Sequence, residues 1–336
     1  MKLITTEEHF TDKHVMDAAA AFDNLRPKMS PKQAEQMKFL MSRAFLGDQL
    51  FDFEKMRIPF MDEHNIQMQV LSYTAPVGDH IPAPDAIRIC RMANDILKQR
   101  IDQYPGRFAG FAALPMADPM TAADELERCV KEYGFCGTML AGRFRGRFFN
   151  EAEFFPVFER AAELDVPIYF HPAFIPQNVL DTYYMSDAYS FVVAAEFGSA
   201  AYGWHSEVGI QISRMILSGI FDKLPNLKFL SGHWGETIPA FLERMDYMLP
   251  RDITGLQRNF SEYYKEHIYI TPSGIMSRDQ LEYIVHVMGA DHVIYSVDYP
   301  YIKPDNAYDF IANAPFSTEQ IEMIAHGNAE RILHIG

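Results

Sequence analysis

Cysteine is scarce in this sequence: Cys90, Cys129 and Cys136 are the three in 336 residues, and none stands in a CxxC spacing. An odd, scattered set excludes a disulfide framework and suits reduced thiols in a cytoplasm. Long apolar runs are also missing, with no stretch near the roughly 18 residues that a membrane-spanning helix requires. The opening MKLITTEEHF has no apolar segment of the secretory kind. Basic residues are in deficit, with 30 Lys and Arg against 45 Asp and Glu, for a formal charge of −15. An acidic body repels phosphate backbones, so nucleic acid and anionic membrane are excluded as partners. A small anionic substrate in a local basic pocket is not. Internal repeats, low-complexity tracts and Gly/Ser linkers are absent, so the chain reads as one domain, 1–336. What remains is ordinary globular material, 48% hydrophobic and 22% charged.

Eight short apolar or β-branched runs punctuate the chain: Lys2–Thr6, Ile66–Ser72, Phe108–Ala113, Gly137–Leu140, Pro167–Phe170, Leu227–Ser231, Ile268–Thr271 and Val293–Ser296. Each is bounded by turn-forming residues, as buried parallel strands are. Amphipathic stretches lie between them. In DPMTAADELERCVKEYGF, Asp118 is a cap, Pro119 suits the first helical position and Gly134 is a stop, with Ala122, Leu126, Cys129, Val130 and Tyr133 on one face. Asn150 to Leu164 repeats the pattern, with Pro156 near its start. Eightfold β-then-α alternation predicts an α/β (β/α)8 barrel, and no Gly-rich phosphate loop follows any strand to favour a doubly wound sheet. Two long segments, Asp12–Asp52 and Phe174–Gly203, read as insertions over the active-site face of such a barrel.

Catalytic groups of barrels sit at the C-terminal ends of strands. Four of the expected strands end in metal-ligand residue types: Glu7 and His9 after the first, His171 after the fifth, His233 after the sixth and Asp298 after the eighth. Strand alternation turns Glu7 and His9 to the same side. A lone histidine is usually structural, but four coincidences with strand ends point to a metal site. Imidazole with carboxylate suits zinc, manganese or iron. The other histidines, His205 among them, lack this placement and read as structural.

The passages EEHF at 7–10, YFHPAF at 169–174, FDKLPNLKFLSGHWGETIP at 221–239, SVDYPY at 296–301 and GNAERIL at 327–333 run in order along nearly the whole chain. In these the sequence resembles the amidohydrolase superfamily, in its branch of metal-dependent non-oxidative decarboxylases. The resemblance implies that Glu7, His9, His171 and Asp298 hold one metal ion, and that His233 is a catalytic histidine with Glu236 orienting it. Glu236, three residues on, also reads as a carboxylate in the first turn of the next helix. The Glu-x-His start is that of the hydroxybenzoate decarboxylases, and no lysine ends the fourth strand as it does in binuclear hydrolases. The implied reaction is decarboxylation of an aromatic or unsaturated acid, with Asp298 as proton donor assisted by His233. A mononuclear hydrolase of an ester, lactone or amide is the alternative that the same ligands would serve.

Further residues follow from the resemblance. Arg57 in MRIPFMD and Arg244 in ERMDYM are candidate carboxylate clamps, and Arg244, eleven residues past His233, matches an arginine that reaches a neighbouring subunit's site. A homodimer or a dimer of dimers is therefore expected. By position alone, Phe10, Phe170, Phe174, Trp234 and Tyr299 flank the ligands; most aromatics in a barrel are core, and Phe174, Trp234 and Tyr299 are the candidates for stacking on an aromatic substrate. The basic loop Arg143–Arg147 reads either as surface or as an anion guide. Where relatives carry a substrate-contacting asparagine at the end of the fourth strand, this chain has Leu140 and Ala141.

Overall fold

The computed structural model describes residues 1–44, 46–74 and 78–336. Seven of the expected runs become parallel strands: β1 Leu3–Phe10, β2 Ile66–Tyr73, β3 Phe108–Gly110, β4 Thr138–Ala141, β5 Ile168–His171, β6 Phe229–Ser231 and β7 Ile268–Ile270. They pair in chain order, β1-β2-β3 in one sheet and β4-β5-β6-β7 in another. Among the described residues, one parallel bridge, Ala112 to Thr138, joins the β3 side of the first sheet to β4 of the second. The eighth run is the exception. Val293–Ser296 is not a strand and makes isolated parallel bridges only, Val293 to Ile270 and Ser296 to Thr6. Asp298, just beyond it, has φ of 63°, outside the β region, so the ladder cannot run on through it.

Alternation along the strands separates two packed layers. Ile4, Val70, Ala109, Tyr169, Leu230 and Tyr269, from six of the strands, meet Ile294 in one cluster with Met139 of β4 packed against it. Their neighbours Leu3, Leu71, Phe108, Leu140, Phe170, Phe229 and Ile268 face the other way, into the layer shared with the helices. The helix Pro119–Tyr133 carries the expected caps: Asp118 accepts from the Thr121 amide at 3.1 Å and Gly134 ends it with φ of 70°. The helix expected over 150–164 is shorter, Phe155–Glu163, preceded by a 3-10 turn at Ala152–Phe154.

Both long segments are helical and they touch each other. Helix Pro31–Ala44 meets helix Phe191–Phe197 through Phe39 and Phe191, whose ring centroids are 5.8 Å apart. Gln177 Nε2 donates to Gln36 Oε1 at 3.0 Å. Among the described residues, no helix is long and apolar enough to cross a membrane.

Candidate metal and proton-transfer site

The end of β1 departs from a regular strand. Thr5 pairs with Gln69 and Glu8 with Leu71, so β1 advances three residues while β2 advances two. The extra residue is a bulge centred on Glu7, whose φ is 64°. Glu7 and His9 do converge, but through this bulge rather than by simple alternation. Glu7 Oε2 is capped by three hydroxyls, Tyr169, Ser273 and Thr271. Gly232 packs against that cage: a Cβ there would stand 2.7 Å from Ser273 Oγ and 2.9 Å from Tyr169 Oη, which only glycine avoids.

The other oxygen, Glu7 Oε1, has no hydrogen-bond partner, and neither has His9 Nε2 or Asp298 Oδ1, although all three atoms are buried. Glu7 Oε1 lies 3.4 Å from His171 Nε2, and His9 Nε2 lies 3.2 Å from Asp298 Oδ1. His171 donates Nδ1–H to Pro172 O at 2.7 Å, which leaves its Nε2 lone pair free. The ligating atoms of Glu7, His9 and His171 all fall within 4.8 Å of one another. Burial holds the Glu7 carboxyl above the ordinary carboxylate range. Burial and the neighbouring His9 and His233 rings hold His171 well below the imidazole range, hence neutral. Buried polar atoms are normally paired, so a convergent set of orphaned lone pairs is the electrostatic complement of a cation. The donor set fits a divalent ion taking oxygen and imidazole nitrogen.

A second cluster stands beside the first. His233 Nδ1 donates to Glu236 Oε1 at 2.8 Å, and His205 Nδ1 reaches Glu236 Oε2 at 2.9 Å. The two rings are 4.2 Å apart, and His205 Nε2 reaches Ala200 O at 2.8 Å. Glu236 is not in the first turn of a helix. It lies in a turn before the 3-10 segment Ile238–Phe241, and its fully buried carboxylate serves two imidazoles rather than backbone amides. His233, Trp234, Glu236 and Thr237 all have positive φ. That run turns the His233 and Glu236 side chains toward each other. Helix Gly203–Leu217, which carries His205, lies close against this turn because Gly209 has no Cβ to strike Glu236 O. Burial works to lower the His233 pKa, but the Glu236 and Glu7 carboxylates outweigh it and push it up to about 9. Burial works to raise that of Glu236, and the two histidines outweigh it, leaving it below the ordinary value. His233 Nε2 points back at the first cluster, 3.9 Å from Glu7 Oε1.

Several candidates for substrate contact lie elsewhere. Arg57 is fully buried, donating to His9 O and, at 3.0 Å, to Gln69 Oε1, with Tyr299 stacked on its guanidinium at 4.6 Å. Tyr299 is buried with it. Trp234 is also interior, its Nε1 donating to Ile275 O at 2.8 Å. All three side chains are buried, Arg57 and Tyr299 almost completely and Trp234 to within 4% of its surface. Phe174 is half-buried and meets Trp204 at 5.4 Å, next to His205, while Tyr301 lies edge-on to His9 at 5.3 Å. Arg244 is exposed on helix Leu242–Met248. Two arginines of the basic loop are ion-paired, Arg143 with Glu207 at 3.2 Å and Arg147 with Glu153, while Arg145 donates to the backbone Asp79 O. Ala141 pairs in register with the ligand-type residue His171, and Leu140 faces the core.

His205, Tyr169, Thr271 and Ser273 are the site residues that strand-end reasoning overlooks. His205 sits at the start of a helix after an insertion, and hydroxyls at strand ends carry no distinctive spacing.

The chain as a whole has known relatives. A protein-family model for the amidohydrolases matches residues 9–335, and the chain belongs to that family. A γ-resorcylate decarboxylase of Polaromonas sp. is 33% identical over 344 residues, covering 99% of this chain and 98% of the relative. Among solved structures, the 5-carboxyvanillate decarboxylase of Sphingomonas paucimobilis superposes with a TM-score of 0.87 at 32% identity, covering 100% of this chain and 99% of that one. A dihydroxybenzoic acid decarboxylase of Polaromonas sp., solved with manganese and 2-nitroresorcinol, gives 0.81 at 31% identity, covering 99% and 97%.

Proposed function

We propose that this protein is a metal-dependent decarboxylase of an aromatic, hydroxybenzoate-type carboxylic acid. The observation that carries the reading is the set of orphaned buried atoms, Glu7 Oε1, His9 Nε2 and Asp298 Oδ1, converging with the free Nε2 of His171. Glu7, His9, His171 and Asp298 would hold one divalent ion, and the manganese in the similar decarboxylase structure favours that metal over zinc. When bound, such an ion supplies Lewis acidity and a template for an anionic substrate. His233, held through Nδ1 by Glu236, presents Nε2–H toward the same space and orients the substrate as a proton-bearing group. Asp298 delivers a proton to the ring carbon that bears the carboxylate. The carbon–carbon bond then breaks, its electron pair restores the aromatic ring, and CO2 leaves. Tyr301 and the Phe174–Trp204 pair supply the apolar walls for a flat ring.

The experiment is a manganese-loaded screen of hydroxybenzoates read by CO2 release. Stoichiometric CO2 with the matching phenol supports the reading. Acid production from esters or lactones, with no CO2 from any hydroxybenzoate, would overturn it in favour of hydrolysis.

The same reading includes a closed (β/α)8 barrel formed by the single domain 1–336. It is supported by the three single bridges at the sheet edges and by the cluster into which six strands and Ile294 send side chains. It also includes a homodimer, or dimer of dimers, in which Arg244 enters the partner's site. Phe241, Tyr247, Met248 and Ile253, exposed on either side of Arg244 in sequence, offer apolar surface for that interface. In co-expressed His171→Ala and Arg244→Ala chains, roughly a quarter of the sites should regain both groups by random pairing. If proven mixed dimers stay inactive, Arg244 does not act across an interface.

A further inference from the structure

Between the two ligand-type residues of β1 stands a third acid. Glu8 is fully buried, and its carboxyl oxygens are taken up by the backbone around Asp298. Its Oε1 accepts from the Val297 amide at 3.1 Å, and its Oε2 from the Tyr299 amide at 2.9 Å and from Gln69 Nε2 at 3.3 Å. Those two amides bracket Asp298. The backbone on either side is laced directly: Thr6 N donates to Tyr295 O at 3.0 Å and His9 N to Tyr299 O at 2.7 Å. Between these bonds the left-handed Asp298 breaks the ladder, and the amides of Val297 and Tyr299 lose their strand acceptors. A buried amide left unpaired costs about 1–3 kcal/mol, and the Glu8 carboxylate takes both. Gln69 in turn accepts from Arg57, and Arg57 donates to His9 O, so one buried network ties the backbone of His9 to that of Asp298.

We infer that Glu8 is a positioning residue that pins the turn bearing Asp298 to the strand bearing Glu7 and His9, and so sets metal affinity without touching metal or substrate. This rests on the metal site proposed above. Two planar oxygens spanning two amides, one on each side of a single residue, hold that residue's backbone at two points. Asp298 is thereby presented to His9 before any ion arrives, and the ordering cost of binding falls. Removing a partner that orients a metal ligand typically weakens metal binding by roughly 10–100-fold.

The test is Glu8→Gln, which keeps shape but sets an NH2 group against one of its donors. Manganese affinity, read from free Mn2+ by electron paramagnetic resonance, should fall by roughly 10–100-fold, and kcat should return to within a few-fold of the parent at saturating manganese. An affinity equal to the parent's would overturn the inference, as would a kcat loss that excess manganese does not restore. Hydrogen exchange on the metal-free parent protein gives a second measurement that no variant's misfolding can compromise. The Val297 and Tyr299 amides should exchange slowly there; exchange as fast as in exposed loops would equally overturn the pin. A parent protein that binds no manganese refutes the metal reading instead, and slow exchange at those two amides then still supports the pin.

Discussion

Two histidine–carboxylate clusters stand side by side in this fold and are built to opposite specifications. In the first, Glu7, His9 and Asp298 each keep one buried atom without a partner. In the second, both oxygens of Glu236 are taken by imidazoles, and His205 spends its other nitrogen on Ala200 O. The residue types are the same, so composition does not distinguish the clusters. Satisfaction does: unsatisfied lone pairs facing one another call for a cation, whereas a satisfied carboxylate between imidazoles holds a proton-bearing ring in place. His233 connects the two, with Nδ1 committed to Glu236 and Nε2 aimed at Glu7.

The sharpest way to break this contrast is to remove a ligand from the first cluster. His171→Ala should lose its manganese and all measurable turnover while its circular dichroism stays native, because β5 is held by Tyr169 and Phe170 in the packed layers on either side. Elemental analysis decides it, and full occupancy in the variant would refute the ligand assignment.

A cut in the second cluster should spare the metal. His233→Asn is expected to bind manganese as the parent does but to turn over roughly 10²–10⁴-fold more slowly, the usual cost of losing an acid–base group. Near-native turnover would take His233 out of the chemistry. The smallest of the three effects is expected from His205→Ala, which leaves Glu236 with one imidazole. Turnover should fall by roughly 10–100-fold, with metal content and KM unchanged. Loss of manganese in this variant would mean that the clusters are one unit and not two.

Much of the fold is legible along the chain because it is local. The cap at Asp118, the stop at Gly134 and the alternation that separates Leu3 from Ile4 are decided by neighbours in sequence, and seven of eight strands appear where those patterns put them. The eighth run, Val293–Ser296, makes only isolated bridges to Ile270 and Thr6, and the left-handed Asp298 two residues on stops the pairing from extending. Arg57 and Tyr299 mislead for a related reason. Residue type makes an arginine beside a motif look like an anion clamp, but here the guanidinium is enclosed with Gln69, His9 O and the Tyr299 ring.

By itself the sequence determined which residue types end the strands, and hence that a barrel with a metal site was to be expected from Glu7, His9, His171, His233 and Asp298, while the decarboxylase expectation came from the resemblance carried by passages such as EEHF and SVDYPY. Only the tertiary structure decided which atoms of those residues are left without partners, that His205 joins Glu236, and that Glu8 faces the amides around Asp298. The physical reason is range. Periodicity and capping are set over a few residues, whereas the satisfaction of a buried polar atom depends on groups hundreds of residues away that only packing brings within about 3 Å.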